Sequence, residues 1–392
     1  MIKLDRQFYF SYSHILLIWI FISFHLFCKS TDPFRVAPNQ AIPVIFIPGY
    51  KGSLLKDTDP NKAGQVYLGL SQALGFSSPD LRLKEVNSVV QSGILESVTI
   101  PMIYSVDVYE SWIKSLKSKS ELDTYIFPYD WREDNSKSVL LLESLVKEIK
   151  IKTGSAPILI GHSNGALLTV SFMNKHPELV SKAILVAGPF SGGVGFLEDL
   201  MVGVPVGLNN KMLNTCVVQT FESIYTFFPR EKNFDTREVL FTDDRKPLLT
   251  SFFDASFWKE YNLGPYTIGS PCSTEPQENL QKRLNKALKF RESLEAKKDI
   301  TYPPVLVVRA ENRGTIRKIF GSRTNEGWKW KVLEGERVPG DGRVTVENAL
   351  PPPGIPFSLY VSKAEHSAIL NEPESREAIF KFINTDIIKK NN

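Results

Sequence analysis

Apolar residues along this chain gather into short unbroken runs, and between the runs they recur at helical spacing. "AIPVIFIPG" (41–49), "APILI" (156–160), "SKAILVAG" (181–188), "PPVLVVRAEN" (303–312) and "FSLYVS" (357–362) are such runs, and each reads as a strand covered on both faces. "SVLLLESLVKEIKIKTG" (138–154) reads as an amphipathic helix closed by a glycine C-cap. "GALLTVSFMNKH" (165–176) reads as a helix stopped by Pro177, and "SREAIFKFIN" (375–384) as a terminal helix. Buried strands alternating with amphipathic helices predict an α/β fold: a mostly parallel central sheet with helices on both faces.

Two stretches interrupt the alternation. Residues 51–105 separate the first strand from "VYESWIKSLKS", and residues 190–300 separate "SKAILVAG" from "PPVLVVRAEN". Both exceed ordinary strand-to-helix connections, so they are expected as insertions over the carboxyl ends of the strands, a lid-like piece and a cap. The predicted organisation is a leader (1–30), a first core segment (31–189, carrying the lid-like 51–105), a cap (190–300) and a second core segment (301–392). The cap holds the apolar stretches "MVGVPVGL", "TFESIYTFFP" and "SFFDASFWKEY". Most of these are expected to pack the cap itself, leaving a minority to face substrate or lipid. The stripe Leu280, Leu284, Ala287, Leu288 and Leu294 predicts a helix docked by its leucines, with Lys282, Arg283, Lys286 and Lys289 largely elsewhere. A basic amphipathic helix lying on anionic lipid is the other reading.

The amino terminus changes the picture most. Lys3 and Arg6 precede "ILLIWIFISFHLF" (15–27), and polar "CKSTDP" follows. This is the layout of a signal peptide, with Phe8 to Cys28 just long enough for an uncleaved signal anchor instead. Lipid attachment at Cys28 is disfavoured by Phe27 in place of a small residue. Export is therefore expected: secreted, periplasmic, or anchored and facing outside the cytoplasm. Of three cysteines, only Cys216 and Cys272 then remain to pair; export permits that bond without requiring it. With 47 basic and 43 acidic residues the net charge is only +4, which disfavours a nucleic-acid partner. No cysteine spacing forms a metal-ligand pattern, and no cofactor is expected.

Within this frame, "ILIGHSNGALL" (158–168) runs strand, turn, helix, with Ser163 between Gly161 and Gly165. That order suits a nucleophile elbow, in which a tight turn lifts a hydroxyl off the sheet. A serine needs a general base, and the chain has five histidines. His14 and His25 lie in the leader. His162 adjoins the serine and is expected to point away; His176 is carried off by the helix. His366, after the last strand, remains. The acid should fall between them in the chain: Asp341, flanked by glycines in "PGDGRVTVENAL", is preferred to Glu311. The oxyanion donors are expected to be the backbone N–H groups of Asn164 and of Tyr50, with Lys51 as the alternative to Tyr50.

Four segments, "PVIFIPGYKGSLL", "FPYDWREDN", "ILIGHSNGALL" and "PGDGRVTVENAL" with His366 following, resemble the lecithin:cholesterol acyltransferase-like family of α/β-hydrolases, a group of lipases, phospholipases and acyltransferases. The box Tyr129 to Arg132 carries the resemblance most specifically. It implies a serine nucleophile at Ser163, an acid at Asp341, a base at His366 and oxyanion amides at Tyr50 and Asn164. It also implies a supporting polar network from Asp130 and Arg132, with Trp131 as packing. The chain departs from the family at Asn164, Ala166 and Lys51, and its first insertion lacks the cysteine pair of the animal acyltransferases. An exported serine lipase or phospholipase acting on lipid or other acyl esters is expected, with contact to a membrane or lipid surface. A lipid O-acyltransferase with the same triad, or a non-catalytic envelope or binding protein on the same fold, are the alternatives.

Overall fold

The computed structural model describes residues 41–100, 104–230, 238–272 and 274–385. The leader and Cys28 lie outside the described residues. Among the described residues, six strands form one parallel sheet: β1 (Ile42–Ile47), β2 (Leu122–Ile126), β3 (Ile158–His162), β4 (Lys182–Val186), β5 (Val305–Ala310) and β6 (Ser358–Ser362). Their order is β6-β5-β4-β3-β1-β2, and each neighbouring pair is parallel. The chain runs from β1 outward to β2, then returns to the other side of β1 to form β3. That reversal opens a crevice at the carboxyl ends of β1 and β3, the place where open α/β sheets bind ligands.

Alternation along β1 decides which face each residue serves. Val44 and Phe46 pack with Trp112, Ile113 and Leu116 of α1 (Glu110–Lys117) and with Ile379 and Ile383 of α5 (Pro373–Asn384). Ile45 and Ile47 pack on the opposite face with α2 (Asn135–Thr153) and α3 (Asn164–Lys175). Helices thus cover both faces, as the unbroken apolar runs require. The ends of α2 follow local chemistry. The Asp134 side chain accepts from the Ser136 N–H at 2.9 Å, and Gly154 closes the helix at φ 71°. This is the α/β-hydrolase fold.

The two stretches that interrupt the alternation form small sheets apart from the parallel one. In the first, Ser53–Asp57 pairs antiparallel with Gly64–Tyr67 and with Val89–Ile94. In the second, α4 (Gln277–Ser293) buries Leu280, Leu284, Ala287 and Phe290, so its apolar stripe is already occupied by protein. The bond between Cys216 and Cys272 is formed. One feature went unread in the sequence. Part of the 301–392 segment leaves the parallel sheet as a long strand, Arg313–Thr324, which pairs with Gly327–Trp330, with Glu336–Gly340 and with Leu240–Thr242 of the cap. Among the described residues, no helix is long and apolar enough to cross a membrane.

Candidate active site

β3 ends at His162, and the chain turns at Ser163 with φ 53° and ψ −118° before α3 begins at Asn164. A serine held at positive φ stores strain of about 1–3 kcal/mol, which the surrounding packing must enforce. The two flanking glycines show how. A Cβ on Gly165 would stand 2.2 Å from the Ile47 carbonyl oxygen, and one on Gly161 would stand 2.4 Å from the Gly165 carbonyl oxygen. Helix α3 therefore lies directly against the ends of β1 and β3; a side chain at Gly165 would force it from β1, and one at Gly161 would force it from β3.

Ser163 is brought together with His366 and Asp341. The Ser163 Oγ lies 3.0 Å from His366 Nε2, and His366 Nδ1 lies 2.7 Å from Asp341 Oδ2. The other carboxylate oxygen of Asp341 accepts the backbone N–H groups of Arg343 and Val344 at 2.8 and 2.7 Å. Burial alone would raise the Asp341 carboxyl. Charge from His366, the His366 hydrogen bond and the two amides outweigh it and hold the carboxyl below its ordinary value. A carboxyl depressed in the folded state adds stability above its unfolded value of about 4, and that stability is lost as pH falls through the folded value. The gap in urea midpoint between wild type and Asp341→Asn is thus expected to be widest above about pH 5 and to narrow toward about pH 3. A gap that widens on acidification would show that Asp341 gains nothing from these partners.

Glu311, the competing acid, points elsewhere: it is half-exposed and sits 3.8 Å from Arg309. His176 pairs with Glu143 at 3.1 Å, at the far end of α3. His162 differs from its sequence reading. Its ring does not turn away from the site but packs 5.1 Å, centroid to centroid, from the ring of His366.

The turn after β1 lies against the elbow. A Cβ on Gly49 would come within 2.9 Å of Ser163 Cβ, so this turn approaches the hydroxyl more closely than any other residue type would permit. Among the described residues, neither the Tyr50 nor the Asn164 backbone N–H donates to a protein acceptor. The Asn164 side chain faces inward instead, bonding to Asn135 and donating to the Tyr129 hydroxyl at 3.0 Å. Tyr129 in turn donates to the Pro48 carbonyl at 3.1 Å. The Tyr129 to Arg132 box therefore ties the elbow to the turn that faces it.

Sequence reasoning missed a second set of charges here. Asp199, buried in the cap helix Leu197–Met201, accepts from Arg343 at 2.9 Å and from Lys51 at 3.5 Å. Lys51 follows Tyr50 and Arg343 follows Asp341 by two residues, so one cap carboxylate joins the turn after β1 to the loop carrying the acid. The lysine directly after the expected oxyanion residue was the one available signal.

Three comparisons bear on this geometry. The family model described as lecithin:cholesterol acyltransferase matches residues 79–289, which include the Tyr129 to Arg132 box and Ser163. The chain is 35% identical over 86 residues to phospholipase A(1) LCAT3 of Arabidopsis thaliana, a stretch covering 20% of this chain and 19% of that protein. In fold it is similar to the crystal structure of a Tle4–Tli4 complex, with a TM-score of 0.58 and 13% identity over 86% of this chain and 96% of that one. A family model spanning more than half of the chain, with its elbow serine at the sheet's crevice, places this protein in the lecithin:cholesterol acyltransferase family.

Proposed function

We propose that this protein is an exported serine hydrolase that cleaves acyl esters of lipids, with Ser163, His366 and Asp341 as nucleophile, base and acid. The observation that carries the reading is the hydrogen-bonded chain from Ser163 through His366 to Asp341, beside two backbone N–H groups that have no acceptor among the described residues. A lone serine of this kind would be inert. With the imidazole 3.0 Å away, its proton has a place to go.

In the proposed cycle His366 Nε2 removes the Ser163 proton as Oγ attacks the ester carbonyl. Asp341 holds the ring by Nδ1 and stabilises the imidazolium. The Tyr50 and Asn164 amides receive the oxyanion, and His366 then gives its proton to the departing alcohol. An acyl-enzyme remains on Ser163. Water or a second alcohol, activated by the same imidazole, completes hydrolysis or acyl transfer. The leader 1–30 and the Cys216–Cys272 bond both suit an oxidising compartment outside the cytoplasm. Tyr50 is packed edge-on by the buried rings of Trp131 and Phe227, which would hold its amide in place for an oxyanion.

The test is turnover of the mature protein on a series of acyl esters, from short soluble esters to long-chain phospholipids in mixed micelles, with and without an added alcohol. Cleavage that rises with chain length, together with covalent labelling by a fluorophosphonate, is the expected result. A protein that neither reacts with the probe nor cleaves any ester in the series is not a serine hydrolase.

A further inference from the structure

His162 is buried beside the nucleophile, yet the cycle above gives it no task. Its two ring nitrogens have well-defined partners. Nε2 lies 3.0 Å from the backbone carbonyl oxygen of His366, and Nδ1 lies 2.7 Å from the Tyr109 hydroxyl. That hydroxyl also accepts the Gly49 backbone N–H at 2.9 Å. The proton positions follow from chemistry alone. A carbonyl oxygen can only accept, so His162 Nε2 carries the proton. In the neutral ring Nδ1 is then bare, and Tyr109 donates to it. Burial first, and the neighbouring His366 second, push the His162 imidazole down to about 3, which agrees with a ring that stays neutral.

We infer that His162 is a positioning residue, whose neutral ring fastens the His366 backbone to the rigid end of β3 and, through Tyr109, aligns it with the turn that supplies the Tyr50 amide. This rests on the triad proposed above. The need for such a tie is visible in the loop that bears His366. Lys363, Glu365 and Ser367 are exposed around it, so few packed side chains hold it. Its peptide is instead held from both ends: the His366 N–H donates to the Asp341 carbonyl at 2.9 Å, and its own carbonyl accepts from His162. Further along, Asn371 donates to the carbonyls of Asp107 and Val108 at 2.9 and 3.1 Å, docking the same loop onto the segment that leads to Tyr109. Tyr109 itself is fixed edge-on against Phe46 of β1. One chain of hydrogen bonds therefore joins the base to the turn opposite it without touching substrate.

The test uses the mature protein with steady-state kinetics, fluorophosphonate labelling rates and thermal unfolding on the same samples. His162→Leu is expected to lower kcat about 10- to 100-fold with KM changed less than about threefold, since a displacement on the order of 1 Å in a reacting group costs about that much. His162→Gln keeps an N–H for the His366 carbonyl and an oxygen for Tyr109, and it is expected to restore kcat to within about tenfold of wild type. Tyr109→Phe, a milder change, should show the same split as His162→Leu, and the double variant should be little worse than either alone. Full kcat in His162→Leu would overturn the inference. So would equal losses in the Leu and Gln variants that track a lowered melting temperature. If Ser163→Ala still took up the probe, the triad itself would fail, a result distinct from either of these.

Discussion

Ser163→Ala is expected to cut turnover on a long-chain ester by roughly ten-thousand- to a million-fold while leaving the melting temperature unchanged or slightly raised. Without the hydroxyl there is no acyl-enzyme, and His366 is left with water as the nearest nucleophile. On the proposed cycle some acceleration over the uncatalysed reaction should persist, because the proposed oxyanion amides of Tyr50 and Asn164 would remain to receive an oxyanion formed by attack of water. The direction of the stability change has a separate cause. Ser163 is held at φ 53° whatever its side chain, so alanine neither relieves nor adds much backbone strain, and it removes one buried hydroxyl. Labelling by a fluorophosphonate should vanish in parallel with turnover. A variant that keeps even a tenth of wild-type kcat would place the nucleophile elsewhere in the crevice.

The second large effect concerns folding. Asp130→Ala is expected to destabilise the protein by about 3–5 kcal/mol, because it strands a buried guanidinium. Arg132 is fully buried. It meets Asp130 through two bonds, at 2.9 and 2.6 Å, and also donates to the carbonyl oxygens of Leu81 and Val89 and to the Asn87 side chain. Those acceptors all belong to the first insertion. The neighbouring Trp131 also reaches it, donating to the Ser53 carbonyl at 2.9 Å. The box is thus a fastening between the hydrolase core and the insertion, with a charge at its centre that tolerates no loss of its partner. Removing both charges, as in Asp130→Ala with Arg132→Met, should cost less than Asp130→Ala alone. Urea midpoints of the three proteins measure this; a single variant within about 1 kcal/mol of wild type would mean that water reaches Arg132.

Much of the parallel sheet was legible because strands buried on both faces leave continuous apolar runs, as in "PVIFI" and "PILI", that need no knowledge of their partners. The elbow was legible because its conformation is encoded locally, by glycines on either side of one serine. His366 emerged by exclusion, its ring meeting Ser163 across 203 positions of chain. What stayed hidden depends on distant partners. The strand Arg313–Thr324 is rich in arginine and glycine and carries no long apolar run, and the strands that pair with it come from a hairpin and from Leu240–Thr242. The orientation of His162 is set by Tyr109, 53 positions earlier, and by a carbonyl 204 positions later. No neighbour rule applied to the elbow could supply either. The buried Asp199 likewise has meaning only once Lys51 and Arg343 converge on it.

The link between Cys216 and Cys272 closes a loop of 56 positions, which lowers the conformational entropy of the unfolded chain and so favours the folded one by about 4 kcal/mol. Its absence has a practical meaning for anyone preparing the protein. Material made in a reducing bacterial cytosol would carry the hydrolase frame with an unfastened canopy, and a weak or erratic specific activity from such a preparation would speak of the canopy's folding before it spoke of chemistry.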